Sequence, residues 1–485
     1  MRLLTLVLLF SAAAVYEAVK LSAVMNPEVW VHLRTGIWIL QHHAIPKAGL
    51  FSQYPSLAWN DSTWGFDLIL GSVYRLLGVR GIPMLLIILK VALAVLTFLL
   101  ARTARLGFWG AVLLSAIAQY VIPHLQPLPS VCSILFFGVE LILLIRSRQT
   151  GSSAPLYWLP FLFLVWANMH LQFVAGLLLL GLYILAALLE QQSRSLAANW
   201  VKQRNVAVDF KNVGIAALVS LLVTFINPYT FRLLTAAFKV LYSPVAFEHF
   251  TEMSSMTFRR PQDYLLMLLV MTAFLSMGKR RSLDLFDWFA LLGSTLLAFR
   301  VERDTWLAVL TAIAVLARGF SNGRDSQTST DALRPVAWAA AASLAAALTA
   351  GFVIVPGSNT LMQKASKDFP VKACDYIRVN HLAAPLFNEY SWGSFLTWYL
   401  PEYPVVIDSR VELYGDQRLG KYFDIVSGKE LLESDPAVAR TGVLLLERQS
   451  AMAKALTNLP GLSAQYRLAY SDDIASVFVP QKKQP

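Results

Sequence analysis

The stretch NPEVWVHLRTGIWILQHHAIPKAGLFSQYPSLAWNDSTWGFD, Asn26 to Asp67, decides how this chain is read. It is the first long polar connection in a sequence that stays mostly apolar until Gly357. Hydrophobic runs flank it on both sides, and within it stand several carboxylates and tryptophans and three of the seven histidines. Chemistry, if the chain performs any, is expected here.

Outward from that stretch, 56% of the 485 residues are hydrophobic and only 15% are charged, which no ordinary soluble globule matches. The composition predicts a polytopic membrane protein. A net charge of +11 would suggest nucleic acid in a soluble domain. Here the cations fall in short connections between apolar runs, where they set orientation, so nucleic acid is not an expected partner. Cys132 and Cys374 lie far apart, at neither metal-ligand nor disulfide-framework spacing.

The start, MRLLTLVLLFSAAAVYEAV, fits either a cleaved signal peptide or a retained anchor; apolar residues continuing to Val24 favour the anchor. Further apolar runs cover 82–101, 107–122, 129–146, 154–168, 171–190, 213–231, 263–278, 283–299, 304–319 and 335–355. In lipid each must be helical to satisfy its own backbone, which predicts about eleven spans. Basic connections at Arg102 and Arg105, Arg146 and Arg148, Arg194 to Lys211, 279–281, and Arg318 to Arg334 alternate to one side. That side is expected to be cytoplasmic, giving an inside N-terminus and an outside C-terminus. Parity then keeps the tempting segment Gly65 to Gly78 from crossing, and puts all seven histidines on the outer side. The fold class expected is mostly α, a transmembrane helix bundle over 1–356 that includes the first outer loop 25–81, followed by an extracytoplasmic α/β domain over 357–485. Strand-like segments 384–389, 403–408, 443–447 and 474–479 alternate there with helix-like ones. The Ser/Thr-rich connection SNGRDSQTSTDALR reads as a plain loop.

Within the loop, Asn26-Pro27-Glu28 opens a helix to about His42, with Asn as cap, Pro in the first turn and Glu complementing the helix dipole. Glu28 and His32, four apart, share a face and can point together into a cavity. Asn60-Asp61-Ser62-Thr63 is a run of cap-forming residues before a second helix that carries Asp67. Trp30, Trp38, Trp59 and Trp64 fit an aromatic belt at the membrane interface. Elsewhere on the expected outer side stand His124, Asn168, His170, Glu252, Arg300 and Arg303. Ionisable groups at span ends need partners or water, so a shared wet cavity is expected. Arg300 and Arg303 suit a phosphate, or else snorkel with Glu302 as their partner.

The pattern W-x-H-L-x-T-G-x-W-I-L from Trp30, with Ile45-Pro46, Phe51-Ser52 and the tryptophan of the second helix, resembles the first outer loop of the bacterial C-superfamily glycosyltransferases. WANMH at 166–170, NPY at 227–229, and NEYSWGSFL and VVIDSRVELYG between 388 and 415 extend the resemblance. It implies an integral-membrane fold with the active site beside the first outer loop and a polyprenyl-phosphate-linked sugar as donor. Related sequences carry Asp-Pro-Asp where this chain has Asn26-Pro27-Glu28, and His-Glu where it has Ser62-Thr63.

The expected function is transfer of a sugar from a polyprenyl-phosphate carrier to a lipid, glycan or protein acceptor on the outer face of a bacterial inner membrane. Glu28, Asp61 and Asp67 are the acid/base candidates. His32, Arg34, His124, Asn168, His170, Glu252, Arg300 and Arg303 are the candidates for substrate contact. No cofactor is required by the sequence; a divalent cation is compatible, although Glu28 with His32 falls short of three protein ligands. The alternative is a non-catalytic assembly or binding component of cell-envelope polysaccharide machinery. A secondary transporter would need repeat symmetry, which the sequence lacks.

Overall fold

A computed structural model describes residues 1–122, 125–195, 209–279, 284–320 and 330–481. His124, the Ser/Thr-rich connection at 321–329 and parts of the basic connections at 196–208 and 280–283 lie outside the described residues. Every apolar run carries a helix: Arg2–Lys20, Gly81–Thr103, Phe108–Val121, Ser130–Thr150, Leu159–Ala167, Phe173–Ser195, Phe210–Val223, Pro261–Gly278, Leu285–Arg300, Thr305–Gly319 and Thr330–Ile354. Among the described residues, 6 helical stretches are long and apolar enough to cross a membrane, and the chain is a multi-pass membrane protein. The helices Phe108–Val121 and Phe210–Val223, 14 residues each, fall short of the ~20 that span a bilayer.

The chain divides into two compact units. One comprises Met1–Lys20, Met84–Ala237 and Phe250–Ile354. At its centre the helix Thr305–Gly319 is buried on every face from Thr305 to Ala317, as expected of a helix apolar all round. Several charges inside this unit are paired. Arg148 Nη2 lies 2.8 Å from Glu190 Oε1 and 3.0 Å from Asp284 Oδ1, Arg318 pairs with Asp287, and Lys90 Nζ lies 3.2 Å from Glu17 Oε1.

The other unit comprises Leu21–Pro83, Phe238–His249 and Val355–Pro485, so the first outer loop belongs with the tail. Four strands form its sheet: β1 Leu386–Asn388, β2 Val443–Glu447, β3 Tyr466–Ser471 and β4 Ala475–Pro480, in the order β1-β2-β4-β3. β1 and β2 run parallel, with Phe387 opposite Leu444; β4 is antiparallel to both β2 and β3. β3 escaped the sequence reading because its residues are mostly half-buried and show no period-2 alternation. The expected strand at 403–408 is reduced to bridges from Val405 to Ser52 and to Leu386. Through them the loop extends the sheet. Gln53 N donates to Val405 O at 2.9 Å, Val405 N donates to Phe51 O at 3.0 Å, and Gln53 Nε2 donates to Leu386 O at 2.7 Å.

The loop's two helices, Glu28–His42 and Trp64–Leu77, cross where Gly36 meets the backbone of Asp67 and Gly71. A Cβ on Gly36 would collide with the carbonyl oxygen of Asp67, so only glycine permits the approach. The helix Tyr390–Tyr399 closes the same core. Trp30, fully buried, stands edge-on to Phe395 at 5.3 Å and to Phe369 at 6.2 Å, and tilts against Trp398 at 4.5 Å. Trp59 is buried as well. These two rings are core residues rather than members of an interfacial belt: the tail's aromatic helix gives Trp30 an apolar surface to cover, and Trp59 lies under the Arg410 guanidinium.

Candidate functional site: a buried carboxylate and imidazole cluster

The crossing of the two loop helices sets Asp67 against His32. Asp67 occupies the first turn of the second helix and is 1% exposed. Its Oδ1 lies 2.8 Å from His32 Nδ1, so the two groups share one proton across that contact. Thr63, which precedes the second helix, joins them: its Oγ1 lies 3.4 Å from His32 Nδ1 and 3.4 Å from Asp67 Oδ2. Asp61 completes the group. Its Oδ1 accepts from Thr63 N at 3.1 Å and from Thr63 Oγ1 at 3.0 Å, while its Oδ2 is buried with no hydrogen-bond partner.

Burial sets the proton affinities. Asp61 is pushed well above the usual carboxylate range by loss of water, and the neighbouring Asp67 charge pushes it further, against the two Thr63 hydrogen bonds. His32 is lowered by burial, opposed by the charges of Glu28, Asp61 and Glu412 and assisted by that of Arg410. A carboxylate raised toward neutrality beside an imidazole held neutral is an arrangement suited to moving a proton near pH 7.

Cations stand on the rim of this cluster. Arg410 is buried and doubly paired to Asp408, with Nε to Oδ1 at 2.9 Å and Nη2 to Oδ2 at 2.6 Å. Tyr414 Oη donates to the same Oδ2 at 2.9 Å. The Arg410 guanidinium lies 4.6 Å from the Trp59 ring centre and 5.8 Å from that of Phe51, and its Nη1 is buried without a partner. Arg34 covers the Phe51 ring at 5.0 Å, and its Nε is likewise buried and unbonded. Trp59 Nε1 donates to Glu412 Oε1 at 3.2 Å.

The structure thus brings Asp61, Asp67, His32 and Thr63 together. Glu28 opens the first helix, where its backbone N–H donates to Asn26 Oδ1 at 2.8 Å, and its charge is felt at His32. In the other unit, His170 Nδ1 lies 2.8 Å from Ser133 Oγ, which also accepts from Trp166 Nε1 at 2.8 Å. Asn168 Nδ2 donates to the carbonyls of Leu164 and Ile226, a helix-end tie. Arg303 Nη1 pairs with Glu252 Oε1 at 3.3 Å, and Arg260 Nη2 lies 2.6 Å from Glu302 Oε1. Arg300 is exposed at the end of its helix.

Three features escaped the sequence reading. Thr63 was expected as a cap-forming residue and as a departure from a family motif, not as a partner of His32 and Asp67. Arg410, beyond its pair with Asp408, keeps an unused buried donor. Glu140 stands buried in the middle of Ser130–Thr150 with both carboxyl oxygens unpartnered. A glutamate inside an apolar run was a visible signal.

The fold is similar to that of solved archaeal oligosaccharyltransferases. The oligosaccharyltransferase of Archaeoglobus fulgidus, solved with a tethered acceptor peptide containing the NVT sequon, is similar over 98% of this chain and 74% of that one, at a TM-score of 0.53 and 11% identity. The archaeal oligosaccharyltransferase AglB from the same organism, in complex with an inhibitory peptide and a dolichol-phosphate, is similar over 95% of this chain and 72% of that one, at a TM-score of 0.58 and 11% identity. At such identity the likeness is one of fold. No family model matches the sequence, and no curated protein does. Among the described residues no three His, Cys, Asp or Glu side chains gather as a metal-binding group.

Proposed function

We propose that this chain transfers a sugar from a polyprenyl-phosphate carrier to an acceptor on the outer face of a bacterial inner membrane, with its tail on that same outer side. The observation that carries the reading is Asp61: buried, raised toward neutrality, and holding one oxygen unbonded while Thr63 fixes the other. The fold likeness to an enzyme solved with dolichol-phosphate supports the choice of donor.

In the reaction, the acceptor's nucleophilic atom bonds to the sugar's anomeric carbon as that carbon's bond to the carrier phosphate oxygen breaks. The bonding pair leaves with the phosphate, and the acceptor's proton passes to Asp61 Oδ2. Burial and the Asp67 charge hold this carboxylate basic, and His32 is a positioning residue that fixes Asp67. Arg410 and Arg34, with unused N–H groups at Phe51, receive the charge developing on the phosphate. Glu28 is the second candidate for the proton. Asp61→Asn tests the assignment, because an asparagine oxygen still accepts from Thr63 while basicity is lost. Transfer is expected to fall by ~10²–10⁴-fold with the fold unchanged.

A second reading, a non-catalytic binding component, is favoured by Asn26 and Ser62-Thr63, where family members carry ionisable groups. Under that reading Asp61→Asn and Glu28→Gln leave cell-envelope polysaccharide output untouched.

A further inference from the structure

A cavity of about 740 Å³ opens between the loop residues Ser52 to Pro55, the helix Val411–Val426 and the turn at 435–440. Arg418, Lys421 and Arg440 line it, against Asp435 as the one carboxylate among the described lining residues. Asp435 is engaged by Tyr54 Oη at 3.4 Å, and with burial as the larger cause the phenol is pushed up to about 12. None of the three cations makes an ion pair with a described carboxylate. Arg418 lies 5.3 Å over the Tyr54 ring, and Lys421 Nζ donates once, to Ser434 O at 2.8 Å. An ammonium has three donors and a guanidinium five, so most of their capacity faces the cavity or water. Tyr54 and several prolines supply an apolar wall beside these charges.

The wall also connects to the cluster described above. Tyr54 stands edge-on to Tyr414, with ring centres 6.3 Å apart, and Tyr414 donates to the Asp408 that pairs with Arg410. An extended peptide would need free backbone at this edge, as strand addition requires. That backbone is occupied: Val405 is bonded on both its N–H and its carbonyl to Phe51 and Gln53, and the Gln53 amide is used by Leu386 and Pro404. A ring with apolar faces and an anionic substituent matches what remains.

We infer that this cavity binds an anionic sugar residue of the acceptor, carrying a carboxylate or a phosphate. The inference rests on the proposed transferase reading for the word acceptor, but its test does not. The full-length protein in nanodiscs is titrated with glucuronate, glucose 6-phosphate, glucose and an oligo-aspartate peptide. At least one of the two anionic sugars is expected to bind tenfold or more tightly than glucose, and the tighter of them identifies the source of the charge. Lys421→Gln and Arg418→Gln, which keep the wall's bulk, are expected to weaken that binding at least fivefold with Tm unchanged. Equal binding of glucose, unchanged affinity in both variants, or binding of the peptide alone would overturn the inference. Binding without any sugar transfer would sink the transferase reading and leave the cavity's assignment standing.

Discussion

Asp61 divides its work between two oxygens. Oδ1 accepts twice from Thr63 and begins the second loop helix, and Oδ2 is left buried and unbonded. The pH dependence of stability follows. Because the folded protein raises the Asp61 pKa, its contribution is fully present below the unfolded aspartate value near ~3.9 and is lost as pH rises through the folded value. His32 runs the other way: lowered in the fold, it contributes above the unfolded value near ~6.5 and is lost as pH falls through its folded value. Asp61→Asn is therefore predicted to have a Tm above the parent's, by a margin that grows as pH rises from about 4 and then levels. Thermal scans across pH 4 to about 9 check this. A margin that shrinks with rising pH would mean Asp61 is paired rather than stranded.

At the scale of elements, Gly36 governs the geometry of the site because it lets the two loop helices touch through backbone at Asp67. Gly36→Ala is predicted to destabilise by ~1–3 kcal/mol through overpacking and to lose transfer, since the added methyl pushes Asp67 from His32. A circular-dichroism melt alongside a transfer assay reads both; an unshifted melt with full transfer would contradict the crossing. The loop's helices were legible from the sequence, because Asn26, Pro27 and the 60–63 cap run are local signals and the first helix ends at His42 as expected. Strand 443–447 was legible for the same reason, as a short apolar run between polar punctuation. What the sequence concealed is non-local. Nothing in FSQYP indicates that Phe51 and Gln53 pair with Val405, some 350 residues away, and Trp30 looks like an interfacial ring until Phe395 and Trp398 are placed beside it. The acid/base candidates Asp61 and Asp67 were readable as carboxylates near a cap. Their meeting with His32 required the glycine crossing.

For the whole molecule, the unit built from the apolar helices pairs Lys90, Arg148 and Arg318 with carboxylates but leaves Glu140 unbonded. Both its oxygens are buried and unbonded beside Gly176 and Trp166. Replacing such a group by an apolar side chain of similar size relieves a desolvation penalty of ~1–3 kcal/mol. Glu140→Met is thus predicted to raise Tm in detergent, and a lowered Tm would assign Glu140 a bonded partner. The unit that unites loop and tail keeps Asp61 Oδ2, Arg34 Nε and Arg410 Nη1 buried and unbonded within one set of elements. Unsatisfied groups of that kind persist where a substrate satisfies them. The most direct measurement is sugar release from a labelled polyprenyl-phosphate donor by the protein reconstituted in proteoliposomes, comparing the parent with Asp61→Asn at equal fold and abundance. The account predicts turnover in the parent and a loss of ~10²-fold or more in the variant. Equal turnover in the two proteins would contradict it.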